Sequence, residues 1–206
     1  MSPALPASVR LRLRRFEAGD EAALCALHQD ERVRALLPDE QPLHEPLWAA
    51  RFIEALQGFY ARHPGLGIWH CSTTEPASFA GWFSLMPLGE NAQALGAAAD
   101  EPELGSRLLP SHWGSRLSLE GGELLLAHAF EQLAAPRVWG LCDPLHRSAR
   151  FCLETLGFAL QQRTVYEGRP AHAFALERAQ WQLARRMPWR ERMRRATLSN
   201  REGVQG

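Results

Sequence analysis

Lysine is missing from this sequence of 206 residues, and all 23 of its basic residues are arginine. The chain therefore cannot form a Schiff base through lysine or use lysine as a nucleophile, and it has no lysine for a phosphate-binding P-loop. Acidic residues also number 23, so the formal net charge is zero. A balanced charge gives no reason to expect a nucleic-acid or membrane partner for the chain as a whole.

Cysteine is scarce too, with four widely spaced residues: Cys25, Cys71, Cys142 and Cys152. No CxxC pair and no His/Cys cluster with the spacing of metal ligands occurs, so the sequence predicts no metal site. Isolated cysteines of this kind are typical of buried apolar positions in a reducing compartment, which predicts a cytoplasmic protein.

Long apolar runs are absent as well. Arg10, Arg12, Arg14 and Arg15 interrupt the N-terminal region, so we expect no signal peptide. No run approaches the roughly 18 apolar residues that a membrane-spanning helix needs. The sequence therefore predicts no membrane partner.

The residues that are present predict one large α/β domain with a buried core. Period-two patterns predict strands near 9–16, 67–72, 78–86, 103–109, 137–142, 158–166 and 171–176. Helical periodicity predicts helices near 20–28, 44–62, 115–133 and 146–156, while 87–101 show no periodicity and predict a loop. The helix crossovers in the second half favour a mixed sheet with helices on both faces.

The C-terminal segment, residues 178–206, carries eight arginines against two glutamates. Trp181, Trp189 and Met193 supply apolar anchors, and Pro188 suits the first turn of a second short helix. One interpretation is a helical extension packed on the domain with a frayed basic end. The alternatives are a basic surface for RNA, the ribosome or another acidic partner, contact with a membrane surface, and dimer packing.

The most informative stretch is 103–120, which the pattern predicts to be a strand, a tight turn and the first turn of a helix. The first N–H groups of a helix have no internal partner and carry partial positive charge, so a phosphate binds well there. Gly114 lets the backbone come close to a ligand. Ser115 or Ser118 can cap the helix or donate a hydrogen bond.

This stretch resembles the GNAT superfamily of acyltransferases, especially the RimJ/RimL-like branch of ribosomal-protein N-terminal alanine acetyltransferases. That branch has a strand E-I-G-Y-x-L, then a proline, then W-G-x-G-Y-A-T-E-A. The matching residues here are Glu103, Leu104, Gly105, Leu108, Pro110, Trp113, Gly114 and Glu120. The branch continues with an apolar strand, D-P-x-N-x-x-S and a helix ending in L-G-F, matched here by 138–142, 143–144 and 156–158.

The resemblance implies a GNAT domain over residues 8–177 and an arginine-rich helical extension over 178–206. The implied fold is a mixed, mostly antiparallel sheet of about seven strands, splayed between the fourth and fifth. Acetyl-CoA or another acyl-CoA would lie in that cleft, and an amine of a small molecule or a protein N-terminus would attack it directly. The implied co-substrate-binding residues are Leu108, Trp113, Gly114, Ser115, Arg116, Leu117 and Ser118. The resemblance also implies a monomer or a homodimer.

The sequence departs from the family pattern at the site. Arg116 replaces the second glycine of the phosphate loop, while His146 and Ala149 replace the asparagine and serine of the later motif. Glu103 is a candidate general base or a surface carboxylate, and His146 is a candidate acid or a helix N-terminal surface residue. These departures leave a second hypothesis open, a GNAT-fold protein that has lost turnover and serves as a binding or regulatory module.

Overall fold

The computed structural model describes residues 8–35, 42–166 and 168–202. The strands are β1 (Leu11–Arg15), β2 (Gly67–Thr73), β3 (Phe79–Pro87), β4 (Pro102–Leu108), β5 (Arg137–Cys142), β6 (Ala159–Tyr166) and β7 (Arg169–Glu177). The helices are α1 (Glu21–Gln29), α2 (Glu31–Arg34), α3 (Pro46–Arg62), α4 (Ala92–Leu95), α5 (Leu117–Ala127), α6 (Arg147–Leu156), α7 (Arg178–Arg186) and α8 (Trp189–Glu202). A π-helical turn, His128–Gln132, continues α5.

The seven strands form one sheet in the order β1-β2-β3-β4-β5-β7-β6. Neighbouring strands are antiparallel except β4 and β5, which are parallel. The predicted α/β class and the mixed, mostly antiparallel sheet of seven strands are therefore confirmed.

Helices cover both faces of this sheet because its central strands alternate apolar residues between two cores. Phe83 of β3 packs with Phe130 and Trp181 in the core beneath α5 and α7. Trp82, the preceding residue, packs instead with residues of α1 and α3. A smaller cluster lies beneath α4 and includes Trp139.

Two short helices differ from the sequence-based expectation. The predicted loop at 87–101 contains α4, and α2 follows α1 directly. Each has four residues, about one helical turn, which is too short to produce a hydrophobic period. Gly96, with φ 63°, ends α4.

Helix α5 lies unusually close to the sheet. A Cβ on Gly121 would collide with the ring of Phe83, and a Cβ on Gly122 would lie 2.7 Å from Cδ1 of Leu156. The glycine pair therefore lets the helix that begins after β4 pack directly against β3 and α6.

The C-terminal helices pack on the domain. Arg192 of α8 is 4% exposed, and its Nε donates to the carbonyl of Thr155 at 2.9 Å. Its Nη2 lies 3.1 Å from Oε2 of Glu123, and Trp181 of α7 donates to the other oxygen of that carboxylate. Helices α7 and α8 are therefore attached to α5 and α6. Within the part of the chain that the structure describes, no helix has both the length and the apolar character to cross a bilayer.

Candidate acyl-CoA site

A cleft opens in the middle of the sheet because β4 and β5 separate soon after they meet. Their ladder has the single register pair Glu103 and Trp139. Ser106, which follows in β4, is exposed although β4 is the fourth of seven strands and its same-face neighbours Leu104 and Leu108 are buried. Beyond Glu103, the edge of β4 that faces β5 has no strand partner among the described residues.

The closed end of this cleft is fixed by Glu101, which immediately precedes β4. Its carboxylate accepts hydrogen bonds from Arg137 Nε and from Trp139 Nε1, each at 2.7 Å. The hydrogen bond from Arg137 is the main cause that lowers the pKa of Glu101 to about 2, against the effect of burial. Because both partners belong to β5, this carboxylate ties the two strands together where the cleft begins.

The loop between β4 and α5 lies at the open end of the cleft. Trp113 is 50% exposed, and its Nε1 donates to the carbonyl of Leu108 at 2.9 Å. Gly114 has φ 73°, which favours glycine, and nothing lies within 4 Å of the place where its Cβ would be. Leu117 and Ser118 form the first turn of α5, whose N–H groups have no partner inside the helix. Free N–H groups at the start of a helix are a common binding site for phosphate groups.

Arg116 occupies the N-cap of α5 in the left-handed conformation, with φ 66° and ψ 11°. The family pattern has glycine at this position. Glycine adopts the left-handed conformation without strain, and it also leaves space for phosphates. The Arg116 side chain is exposed. It therefore points to solvent and is not packed into the loop as a plug.

A second arginine, which is distant in the sequence, contacts the same loop. Arg10, next to β1, donates from Nε to Oε2 of Glu120 at 2.7 Å and from Nη1 to the carbonyl of Ser115 at 3.1 Å. Glu120 therefore has a structural role as the anchor of this clamp. Ser118 completes the inner side of the loop, with Oγ 3.3 Å from Sγ of Cys152 in α6.

Glu103 lies at the closed end of the cleft, on the face of the sheet opposite to Leu104. The hydroxyl of Tyr166, at the end of β6, makes a long hydrogen bond of 3.5 Å to its Oε2. Gly105 follows on the same face, where a Cβ would lie 2.5 Å from Oγ of Ser84. The ring of Trp82 lies 3.8 Å from the same point, so glycine here makes room for the side chains of Ser84 and Trp82.

His146 follows β5 and caps α6. Its Nδ1 accepts from the backbone N–H of Ala149 at 3.3 Å and lies 3.1 Å from Oγ of Ser148. The family pattern has asparagine here, which is a preferred N-cap residue. The histidine that replaces it also makes a capping bond. Burial lowers the pKa of His146 against the opposing effect of Asp143. With Nδ1 used as an acceptor, any proton donated by this ring would have to leave from Nε2.

The acetyltransferase (GNAT) domain family matches residues 10–159 of this sequence. The chain belongs to the GNAT acetyltransferase family. A curated relative, the FsC-acetyl coenzyme A-N(2)-transacetylase of Aspergillus fumigatus, is 28% identical over 94 residues. That match covers 46% of this GNAT chain but only 39% of the relative, so it spans about two fifths of the relative's length.

Solved structures of similar fold include three acetyltransferases at low sequence identity. A Bacillus anthracis member is 15% identical, with TM-score 0.67 and coverage of 84% of this chain and 97% of that one. An Agrobacterium tumefaciens acetyltransferase is 19% identical, with TM-score 0.68 and coverage of 86% and 96%. The RimL ribosomal L7/L12 α-N-protein acetyltransferase is 14% identical, with TM-score 0.67 and coverage of 86% and 95%. At identities this low, the structural similarity establishes the shared fold alone.

The structure brings the seven predicted co-substrate-binding residues together along the end of β4, its loop and the start of α5. Glu103 lies near the opposite end of the same strand, and His146 lies beyond the end of β5. Neither Arg10 nor Tyr166 was predictable as a site residue, because each is distant in sequence from the residue that it contacts. The alternation of β4 could have drawn attention to Ser106, a polar residue between two buried leucines.

Proposed function

We propose that this GNAT protein is an N-acyltransferase that moves the acyl group of acetyl-CoA, or a related acyl-CoA, to a primary amine. The observation that carries the proposal is the separation of β4 from β5 after Glu103, which exposes Ser106 in the centre of the sheet. A cleft at this position gives an acyl-CoA and an amine access to each other from opposite faces of one sheet. The acceptor is a small-molecule amine or a protein N-terminus.

In this proposal, the loop from Trp113 to Ser118 binds the phosphates of the co-substrate. The N–H groups at the start of α5 and the open space beside Gly114 support that role. The exposed guanidinium of Arg116 can pair with a phosphate oxygen. The clamp made by Arg10 keeps the loop in place, which lowers the cost of ordering it on binding.

The chemical step is direct transfer. The neutral amine attacks the thioester carbonyl carbon, the C–N bond forms, the C–S bond breaks, and CoA leaves as a thiolate that takes up a proton. Backbone N–H groups on the open edge of β4 stabilise the negative charge that develops on the carbonyl oxygen. Glu103, directly or through water, takes the proton of the amine, and Tyr166 orients its carboxylate. His146 Nε2 remains our candidate donor to the thiolate.

The C-terminal segment, residues 178–206, presents fewer exposed and unpaired arginines to a partner than its composition indicates. Arg192 is buried, and Arg185 pairs with Glu131 at 2.6 Å. Arg186 and Arg190 are exposed and are the residues that we would test for RNA or ribosome contact. Three expectations stay predictions. They are the boundary between a domain at 8–177 and an extension at 178–206, a cytoplasmic location, and the choice between monomer and homodimer.

The proposed function is tested by incubating the full chain with acetyl-CoA and a panel of primary amines while CoA thiol release is measured. Acceptor-dependent release, with the acetylated product identified by mass, is the expected result. Tight acetyl-CoA binding without transfer to any amine would instead favour the binding or regulatory module.

A further inference from the structure

Helices α7 and α8 bury their apolar residues against the domain. Trp181 and Ala184 of α7 and Ala196 of α8 are each 5% exposed or less, and one leucine on each helix is exposed, Leu183 and Leu198. An amphipathic helix binds a membrane surface through its apolar face, and here that face is already covered. A partner of these two helices therefore meets only their outward side.

The outward side carries three exposed arginines, Arg186, Arg190 and Arg194, which we call the arginine row. Arg186 ends α7, and the other two are four residues apart in α8, so they lie on one side of that helix about 6 Å apart along its axis. Arg186 and Arg190 make no ion pair or hydrogen bond with any residue that the structure describes. Arg194 lies 3.8 Å from Glu191, which makes a shorter contact of 2.9 Å with Arg195. The arginine row is therefore largely without counter-charges and fits a partner with a series of negative charges.

An aromatic ring lies beside the arginine row. Trp189, the first residue of α8, is 38% exposed. The guanidinium carbon of Arg192 lies over this ring, 4.1 Å from its centroid. Arg192 is itself fixed, because its N–H groups donate to the carbonyls of Thr155 and Leu156 and to the carboxylate of Glu123. The indole is therefore held in a set orientation, with part of its surface open to solvent.

We propose that this surface binds single-stranded RNA, with phosphates on the arginine row and a base stacked on Trp189. Guanidinium groups pair with phosphate oxygens in a bidentate manner, and basic side chains beside an aromatic ring are the combination that binds single strands. Loops and ends of RNA expose their bases for such stacking, whereas a duplex does not. An acidic polypeptide would match the arginine row but gives no reason for the exposed ring. The inference is independent of the proposed transferase activity, because none of these residues belongs to the acyl-CoA site.

The test measures fluorescence anisotropy of a labelled RNA of about 12 nucleotides, without self-complementarity, over a range of salt concentrations. The full chain is titrated into the single strand and into the duplex of the same RNA with its complement, and polyglutamate is added as a competitor. The variants are the double substitution Arg186→Gln with Arg190→Gln, and Trp189→Leu. Trp189→Phe keeps an aromatic ring and decides the role of the ring if Trp189→Leu does not fold. Arg62→Gln, which changes an exposed arginine at the end of α3, is the matched control.

We expect the single strand to bind with a micromolar dissociation constant at about 0.1 M salt, more tightly than the duplex. The double arginine variant should reduce the slope of log affinity against log salt by about 0.7 for each arginine removed. Trp189→Leu should weaken binding about tenfold with the slope unchanged, Trp189→Phe should retain part of that loss, and Arg62→Gln should match wild type. A folded chain that does not bind, tighter binding of the duplex, an equal loss in Arg62→Gln, or equal competition by polyglutamate at the same concentration of charge would overturn the inference.

Discussion

The hydroxyl of Tyr166 lies 3.5 Å from Oε2 of Glu103, although β5 and β7 separate their two strands in the sheet. The two side chains meet across the face of the sheet at the closed end of the cleft. In the proposed reaction, this carboxylate takes the proton of the amine, and the phenol restricts its orientation. The pair is the most specific feature of the proposed proton-transfer site.

Glu103→Gln should lower kcat about a hundredfold with any acceptor that the wild type acetylates, because general-base catalysis contributes rate of this order. Binding of acetyl-CoA should not change, since Glu103 is distant from the phosphate loop. Tyr166→Phe should have a smaller effect, because it removes only the orienting hydroxyl. Steady-state kinetics and calorimetry on both variants test this prediction, and unchanged kcat in Glu103→Gln would exclude the carboxylate as the base.

Glu101→Gln should lower the free energy of unfolding at pH 7 by about 2 kcal/mol, because the carboxylate accepts charge-assisted and buried hydrogen bonds from β5. Its pKa is about 2 in the fold against an ordinary value of 4.5. A lowered pKa stabilises the fold fully above pH 4.5, and the stabilisation is lost as pH falls towards 2.

The difference in free energy of unfolding between wild type and Glu101→Gln should therefore be constant between pH 7 and about 5, and it should shrink below pH 4.5. Denaturant unfolding at pH 7, 5.5 and 4 measures it, with the exposed Glu90→Gln as a control that should match wild type throughout. A pH-independent difference would mean that the ion pair with Arg137 is not its source.

Arg116→Gly should increase the free energy of unfolding by about 1 kcal/mol, because a left-handed backbone costs a non-glycine residue about this much. Arg116→Ala is the matched control, since it removes the side chain but keeps the strain, and it should not stabilise the protein. Equal stability of the glycine and alanine variants would show that φ 66° at this position carries no cost.

Arg192→Ala should destabilise the protein by about 3 kcal/mol, because it removes the charge paired with Glu123 and leaves the last carbonyl groups of α6 without their buried donor. The exposed Arg194→Ala should change stability by less than about 1 kcal/mol. For the same reason, truncation before α7 is expected to destabilise the domain. Ribosome or RNA contact is therefore better tested with Arg186→Gln and Arg190→Gln than with a truncated chain.

Contacts local in sequence were predictable here. The strand, loop and helix of 103–120 lie in one continuous stretch, so their pattern indicated the strand, the turn and the helix that the structure shows. Strand β5 has the predicted bounds, Arg137–Cys142. The one-turn helices α2 and α4 were not predictable, because a single turn has no hydrophobic period.

Side-chain pairs between distant segments were beyond prediction from one sequence. Arg10 and Glu120 are 110 residues apart, and Arg192 and Glu123 are 69 apart. Such pairs depend on the twist of the sheet and on how helices lie across it, and neither property is contained in local periodicity. Arg116 was recognisable as a departure from the family pattern, but its left-handed backbone and exposed side chain required coordinates.

Calorimetric titration of the full chain with acetyl-CoA, compared with free CoA and a longer acyl-CoA, is the most direct test of the central claim. We predict one acetyl-CoA bound for each chain at micromolar strength, about −8 kcal/mol, with Arg116 in place. A folded protein that binds none of the three, both as wild type and as Arg116→Gly, would contradict the acyl-CoA site.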